Sequence, residues 1–140
     1  MLFAVIVQTY LNHRSVHPEL EAHVVGFPDI EWVGSSLDTM MTQIPKLIGK
    51  KLESMSPLPI SFDSGVDKAL NDFSSHSVTN YIFVVEVDIL PYFGEPEKVN
   101  VTLPGHLINR IDKAVLDKPA LYKNRSRFLA MAALELLKEN

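Results

Sequence analysis

The last third of the chain constrains the fold most, because it carries more apolar surface than it can cover by itself. A helix predicted to begin after Asn124 is apolar on almost every side, and its apolar residues are Phe128, Leu129, Met131, Ala132, Ala133, Leu134, Leu136 and Leu137. Such a helix has to be buried. The unit that contains it spans only about 44 residues, and units of this size rarely form a sufficient core alone. The sequence therefore predicts that a second copy of the chain completes this core.

A short strand precedes the helices of this unit and has no local strand to pair with. Residues 98–103 (Lys-Val-Asn-Val-Thr-Leu) alternate strictly between polar and apolar side chains, so the two kinds face opposite ways. Pro104-Gly105 ends the strand, and a first amphipathic helix follows and ends before Lys118-Pro119. If two copies pair strand to strand and pack their helices together, the strand gains a partner and the apolar helix is buried.

This order of strand, helix and helix resembles the ribbon-helix-helix family of bacterial DNA-binding proteins, in which a two-stranded ribbon enters the major groove. The resemblance implies that Lys98, Asn100 and Thr102 read base edges, to which these side chains can hydrogen-bond. It also implies a phosphate site at the start of the second helix, where free N–H groups favour an anion, formed by Lys123, Asn124, Arg125, Ser126 and Arg127. The implied dimer core comprises Val99, Val101, Leu103, Ile111, Phe128, Leu129, Ala132 and Leu136.

Charge is divided unevenly along the chain. The formal net charge of −4 argues against a nucleic-acid binder when the chain is taken as a whole. Residues 1–94 carry five Lys or Arg against eleven Asp or Glu, a balance of −6, whereas residues 95–140 carry eight against six, a balance of +2. Such an asymmetry suggests different partners for the two parts. We therefore predict two domains, 1–94 and 95–140, joined by the Pro- and Gly-containing segment at 91–96.

The first part of the chain predicts a small α+β layer, an antiparallel sheet with helices on a face. Strands are predicted at Leu2–Tyr10, Glu21–Gly26, Ile30–Gly34 and Asn80–Leu90, a loop at Asn12–Glu21, and a short helix at Val66–Phe73. Apolar residues at helical spacing from Leu37 to Leu52 predict a longer helix, capped by Ser35 or Ser36. Pro45 lies inside that helix, and we expect a kink or a break there.

The whole chain resembles the HicB antitoxins of type II toxin–antitoxin systems. The stretches that carry the resemblance are Gly26-Phe27-Pro28-Asp29-Ile30, Val84-Val85-Glu86-Val87-Asp88-Ile89, Tyr92-Phe93-Gly94 and Glu97–Pro104. The resemblance implies an α+β fold: a partial RNase H-like antiparallel sheet with a helix, followed by the ribbon-helix-helix domain. It also implies a cytoplasmic bacterial antitoxin. The first domain would neutralise a HicA-type mRNA-cleaving ribonuclease, and the second would repress its own operon. The protein would be a homodimer, with a dimer of dimers left open.

Enzyme chemistry has little support in the sequence. Cys is absent, which excludes disulfides and thiol catalysis. Glu86 and Asp88 could share a strand face, as in two-metal nucleases, but such sites need further carboxylates. The remaining candidates form no recognised metal site or nucleophile elbow; they are His13, His17, His23, Ser35, Ser36, Ser74, Ser75 and His76. We therefore expect a non-enzyme with no cofactor, no metal, no small-molecule substrate and no membrane-spanning segment.

A second interpretation stays open at this stage. The chain could be a dimeric ribbon-helix-helix repressor that has no toxin partner and whose first domain senses a small ligand. A neighbouring gene for a short, basic, His-containing protein would favour the antitoxin over this repressor.

Overall fold

The apolar run at the start of the chain forms an inner strand of an antiparallel sheet. The structure is a computed structural model that describes residues 1–10, 18–72 and 80–138. The strands are β1 (Leu2–Tyr10), β2 (Glu19–Val24), β3 (Phe27–Gly34) and β4 (Asn80–Glu86). They lie in the order β3-β2-β1-β4, and every neighbouring pair is antiparallel. The predicted antiparallel sheet is therefore confirmed, with β1 paired along both of its edges.

A long helix, α1 (Leu37–Ser54), packs against one face of this sheet. Alternate residues of β1 that point to this face, Phe3, Val5 and Val7, are at most 1% exposed. The helix supplies fully buried side chains at intervals of four residues, which are Met40, Ile44, Ile48 and Leu52. The buried side chains of β1 and of α1 therefore pack together in one core.

Pro45 lies inside α1, and the expectation of a break there is wrong. The helix runs without interruption from Leu37 to Ser54, and Ser36 caps it by accepting the Thr39 N–H at 3.3 Å. An internal proline costs about 3 kcal/mol. Burying one large apolar side chain returns about 1.5–3 kcal/mol, and four are buried along this helix. Burial on both sides of the proline therefore outweighs the lost hydrogen bond.

The predicted limits of two strands were wrong because cross-strand pairing, rather than local sequence, sets them. β2 begins at Glu19 instead of Glu21, since Glu19 lies opposite Tyr10 at the end of β1. β3 begins at Phe27 instead of Ile30, since Phe27 lies opposite Val24 across a tight turn. The predicted loop at 12–21 is therefore too long. Residues 12–17 of that loop lie outside the described residues.

The strand predicted at Asn80–Leu90 ends four residues early, at Glu86. Its partner β1 begins at Leu2, which lies opposite Glu86, so the ladder ends there. A 3-10 turn at Leu90–Tyr92 follows. The short helix after α1 is α2 (Val66–Asp72), and the end predicted for it at Phe73 lies outside the described residues.

The last part of the chain contains both predicted helices and one that was not predicted. They are α3 (Gly105–Asp117), the short α4 (Pro119–Tyr122) and α5 (Arg125–Lys138). Residues 98–103 are not part of the described sheet. A ribbon would pair this segment with the same segment of a second copy, so the predicted strand at 98–103 stays a prediction. No helix in the described part of the chain is long and apolar enough to span a membrane.

Gly34 is held against the indole ring of Trp32, its neighbour on the same face of β3. A Cβ atom at Gly34 would lie 2.5 Å from Cη2 of Trp32. The indole cannot easily give way, because its Nε1 donates to Gln43 Oε1 at 2.7 Å and the residue is buried. The close approach therefore requires glycine.

We predict that Gly34→Ala lowers the free energy of unfolding by about 1–3 kcal/mol, the usual cost of overpacking a filled core. Urea denaturation followed by circular dichroism measures the loss. Gly105→Ala is the matched control, because a Cβ atom there meets nothing within 4 Å, and stability should not fall, since alanine in place of an unstrained glycine is neutral to slightly stabilising. An equal loss in both variants would contradict the packing explanation.

Candidate functional site

Asn124 caps the N-terminus of α5, the helix that the sequence predicted to begin after this residue. Its Oδ1 accepts the backbone N–H of Arg127 at 2.8 Å, which satisfies one of the free N–H groups of the first turn. Lys123, just before the cap, adopts a left-handed backbone with φ of 55° and is exposed, as is Ser126. The five residues of the predicted phosphate site therefore lie together at one helix start.

Arg125, one of the two arginines of this site, is paired with a carboxylate of the same part of the chain. Its Nε and Nη2 donate to Asp112 of α3 at 3.0 and 2.7 Å, a bidentate ion pair. The hydrogen bond from Arg125 lowers the pKa of Asp112, and the same bond raises the pKa of Arg125. The pair therefore joins the start of α5 to α3.

Arg127, the second arginine, reaches out of its own part of the chain. Its Nη1 donates to Asp88 Oδ2 at 2.7 Å, and its Nε donates to the carbonyl oxygen of Leu121 at 3.0 Å. Its side chain is only 19% exposed, against 51% for Arg125. The sequence did not predict this contact, since the two residues lie 39 positions apart.

Asp88 lies just beyond β4 and joins two structural elements. Its Oδ1 accepts the N–H of Leu90 at 3.2 Å, while its Oδ2 holds Arg127. Partial burial raises the pKa of Asp88, but the hydrogen bonds from Arg127 and Leu90 and the positive charges of Arg127 and Lys123 lower it by more. The net pKa lies below the usual value, so this carboxylate is ionised at neutral pH.

Five residues of α5 line a cavity of about 520 Å³ between the helix and the sheet; one is Glu135, and the other four share one helix face. These four lie at intervals of four, three and four residues, which places them on one face of the helix, and they are Arg127, Met131, Leu134 and Lys138. Leu134 packs against the core of the first part. The opposite wall of the cavity is the segment Glu86–Leu90 together with Met1, whose N-terminal ammonium donates to the carbonyl oxygen of Val87 at 2.8 Å. The two parts of the chain are therefore in contact.

The three predicted base-reading residues lie in the irregular segment before α3. Lys98, Asn100 and Thr102 are all exposed, and no hydrogen bond or ion pair within the described residues engages their side chains. They are open to a ligand in this structure.

The eight predicted dimer-core residues are mostly uncovered within one chain. Ile111 is 4% exposed, whereas Val99 and Val101 are 77% and 65% exposed. Phe128 is half-buried and meets Tyr122 edge to face, with ring centroids 4.8 Å apart. Of the remaining four, Leu103 and Leu129 are half-buried and Ala132 and Leu136 are exposed. This apolar surface is what a second copy would have to cover.

The residues considered for enzyme chemistry do not form a site in the described part of the chain. Asp88 lies past the end of β4, so the expectation that it shares a strand face with Glu86 is wrong. His23 lies beside Glu21, with Nε2 2.9 Å from Oε1. Among the described residues, no three His, Asp or Glu side chains are grouped to hold a metal ion. The other candidate histidines and Ser74-Ser75 lie outside the described residues.

Comparison with known proteins assigns the chain to a family. The family model described as HicB_like antitoxin of bacterial toxin-antitoxin system matches residues 13–133. The chain therefore belongs to the HicB-like antitoxins, and the resemblance found in the sequence is confirmed.

Two similar proteins match most of this chain, one by its sequence and one by its solved structure. An uncharacterised 14.9 kDa protein in the rep-hol intergenic region of Haemophilus phage HP1 is 32% identical over 126 residues, which cover 84% of this chain and 90% of the phage protein. The crystal structure of the Burkholderia pseudomallei antitoxin HicB matches with a TM-score of 0.69 and 26% identity, over 98% of each chain. The similarity therefore covers both parts of the chain.

Proposed function

We propose that this chain neutralises a HicA-type, mRNA-cleaving toxin through residues 1–94 and represses its own operon through residues 95–140. The observation that carries the proposal is the family match, which runs from residue 13 to residue 133 and so includes most of both parts. This match favours the antitoxin over the ligand-sensing repressor. The chain acts by binding and not by catalysis in this proposal.

The acidic character of residues 1–94 supports a basic partner for the first part. On β2 and β3, Ala22 and Trp32 lie opposite each other and are buried towards α1. Their strand neighbours Glu21, Glu31 and Val33 therefore point to the other face of the sheet. A negatively charged surface would attract a ribonuclease whose RNA-binding surface is basic. It would then compete with RNA for that basic surface.

The exposed side chains of the second part support DNA binding by a dimer. Val99 and Val101 are largely uncovered, and pairing two copies of residues 98–103 would bury them under the helices of both chains. The same pairing would turn Lys98, Asn100 and Thr102 to the outer face of the ribbon, towards base edges. The start of α5 would then bind a phosphate through Lys123, Asn124, Arg125, Ser126 and Arg127.

The dimer is tested by placing a charge in its shared core. Phe128→Asp or Leu129→Asp should abolish dimerisation, because a buried unpaired carboxylate is strongly unfavourable. Analytical ultracentrifugation of the full chain measures the change. Val33→Asp is the control, since Val33 is 57% exposed on the sheet and its substitution should leave the dimer intact. A folded, monodisperse wild-type monomer at micromolar concentration would contradict the proposal.

DNA readout is tested by substitutions on the polar face of the ribbon. Asn100→Ala and Thr102→Ala should each weaken binding to DNA from upstream of the chain's own gene, and losing an Asn–adenine pair should cost about 1–3 kcal/mol. Arg125→Ala should instead weaken binding to every sequence and flatten its salt dependence. Fluorescence anisotropy measures both effects. Asn109→Ala, an exposed asparagine on α3, is the control, and wild-type affinity of Asn100→Ala would exclude the ribbon as the reading element.

Toxin neutralisation is tested by co-expressing the full chain with the short basic protein encoded beside its gene. Wild type should restore growth, and so should the double variant Asn100→Ala/Thr102→Ala, because the ribbon is not the proposed toxin site. Glu31→Lys should weaken rescue and slow association at low salt. Asp117→Lys on α3 makes the same charge change outside residues 1–94 and should not. Loss of rescue in the ribbon variant, but not in Glu31→Lys, would place the toxin site in the second part instead.

A further inference from the structure

The contact between the two parts of the chain involves a residue that DNA binding would also need. Asp88 and Arg127 form an ion pair across the junction, and it is the one ion pair within the described residues that joins 1–94 to 95–140. Leu134, seven residues further along α5, packs against the core of the first part. The sheet therefore holds one face of α5 by a charged contact at its start and an apolar contact two turns later.

The contacts that Arg127 makes within the chain limit the access of a phosphate to its guanidinium. Two donors of its guanidinium are engaged, Nη1 by Asp88 and Nε by the carbonyl oxygen of Leu121. The carboxylate of Asp88 also places a negative charge next to the helix start that would receive the phosphate, and like charges repel. A DNA phosphate at the start of α5 and the carboxylate of Asp88 would therefore compete for the same guanidinium.

Arg125 provides the internal comparison. Its partner Asp112 belongs to α3, in the same part of the chain, so that pair can move with the second part as a unit when DNA binds. The pair between Asp88 and Arg127 cannot, because Asp88 belongs to the first part of the chain, where its Oδ1 accepts the N–H of Leu90 in the turn that follows β4. Of the two arginines, Arg127 is thus the one whose availability depends on the first part.

We propose that the Asp88–Arg127 ion pair is an autoinhibitory latch, by which residues 1–94 withhold Arg127 from DNA and lower the affinity of the second part for phosphate. This inference rests on the proposed DNA binding. Because the carboxylate and the phosphate exclude each other at Arg127, the coupling is reciprocal: DNA binding opens the latch, and whatever stabilises the latch weakens DNA binding. The first part thereby regulates the second without touching DNA.

The test measures binding of the full chain to a short mixed-sequence duplex at low salt, since phosphate contacts do not depend on sequence. Asp88→Asn removes the charge and keeps an oxygen for the Leu90 N–H. It should tighten binding by up to about fivefold per chain, the range expected for breaking a partly exposed ion pair. Asp88→Ser serves as a second variant with the same expected direction, and circular dichroism checks that both are folded.

Two controls separate the latch from a general effect of charge. Glu135→Gln makes the same charge change on the wall of the same cavity, and Glu135 has no ion pair among the described residues, so affinity should rise less than for Asp88→Asn. In an Arg127→Ala background, Asp88→Asn should have no effect, because the group it releases is gone.

Each outcome decides the proposal. Tighter binding by Asp88→Asn that disappears without Arg127 supports the latch. Equal affinities of wild type and Asp88→Asn, an equal gain in Glu135→Gln, or a gain that persists without Arg127 would overturn the latch and leave DNA binding intact. If neither wild type nor any variant binds the duplex, the proposed DNA binding fails and the latch fails with it.

Discussion

The pairing of β1 along both edges is the constraint on which the rest of the structure depends. It fixes β4 opposite β1, with Leu2 across from Glu86. Met1 then exchanges hydrogen bonds with Val87, as the N-terminal ammonium donates to one carbonyl and the Val87 N–H donates back to Met1. The segment just beyond β4 is thereby held in place, and Asp88 lies in that segment. The position of α5 thus follows from a strand at the opposite end of the chain.

Much of the fold could be predicted because it rests on local patterns. The apolar run of β1, the helical spacing in α1 and the cap at Asn124 each depend on residues close together in sequence, and the structure has all three. The cap is a good example, since Asn124 needs only the N–H of Arg127, three positions ahead. The family could also be identified from the sequence, because the resemblance is carried by short segments of neighbouring residues.

The parts that could not be predicted depend on residues far apart in sequence. The starts of β2 and β3 are set by their partners across the ladder, and continuity through Pro45 is set by the core on both sides of it. Asp88 was considered for a nuclease site because it was predicted to lie on the same strand as Glu86, two positions further along. Its actual partner, Arg127, lies 39 positions away, and no periodicity in the sequence reports such a contact.

The edge strand β3 has a further consequence for how the protein behaves when abundant. In the described sheet β3 lies at one side, where a strand can pair with that of another molecule and start an aggregate. Pro28 offers no N–H to such a partner, and the adjacent Asp29 is paired with Lys51 of α1, Nζ to Oδ2 2.6 Å. A proline and a charged pair therefore oppose pairing at this border of the sheet, which lowers the tendency of concentrated molecules to join their sheets there.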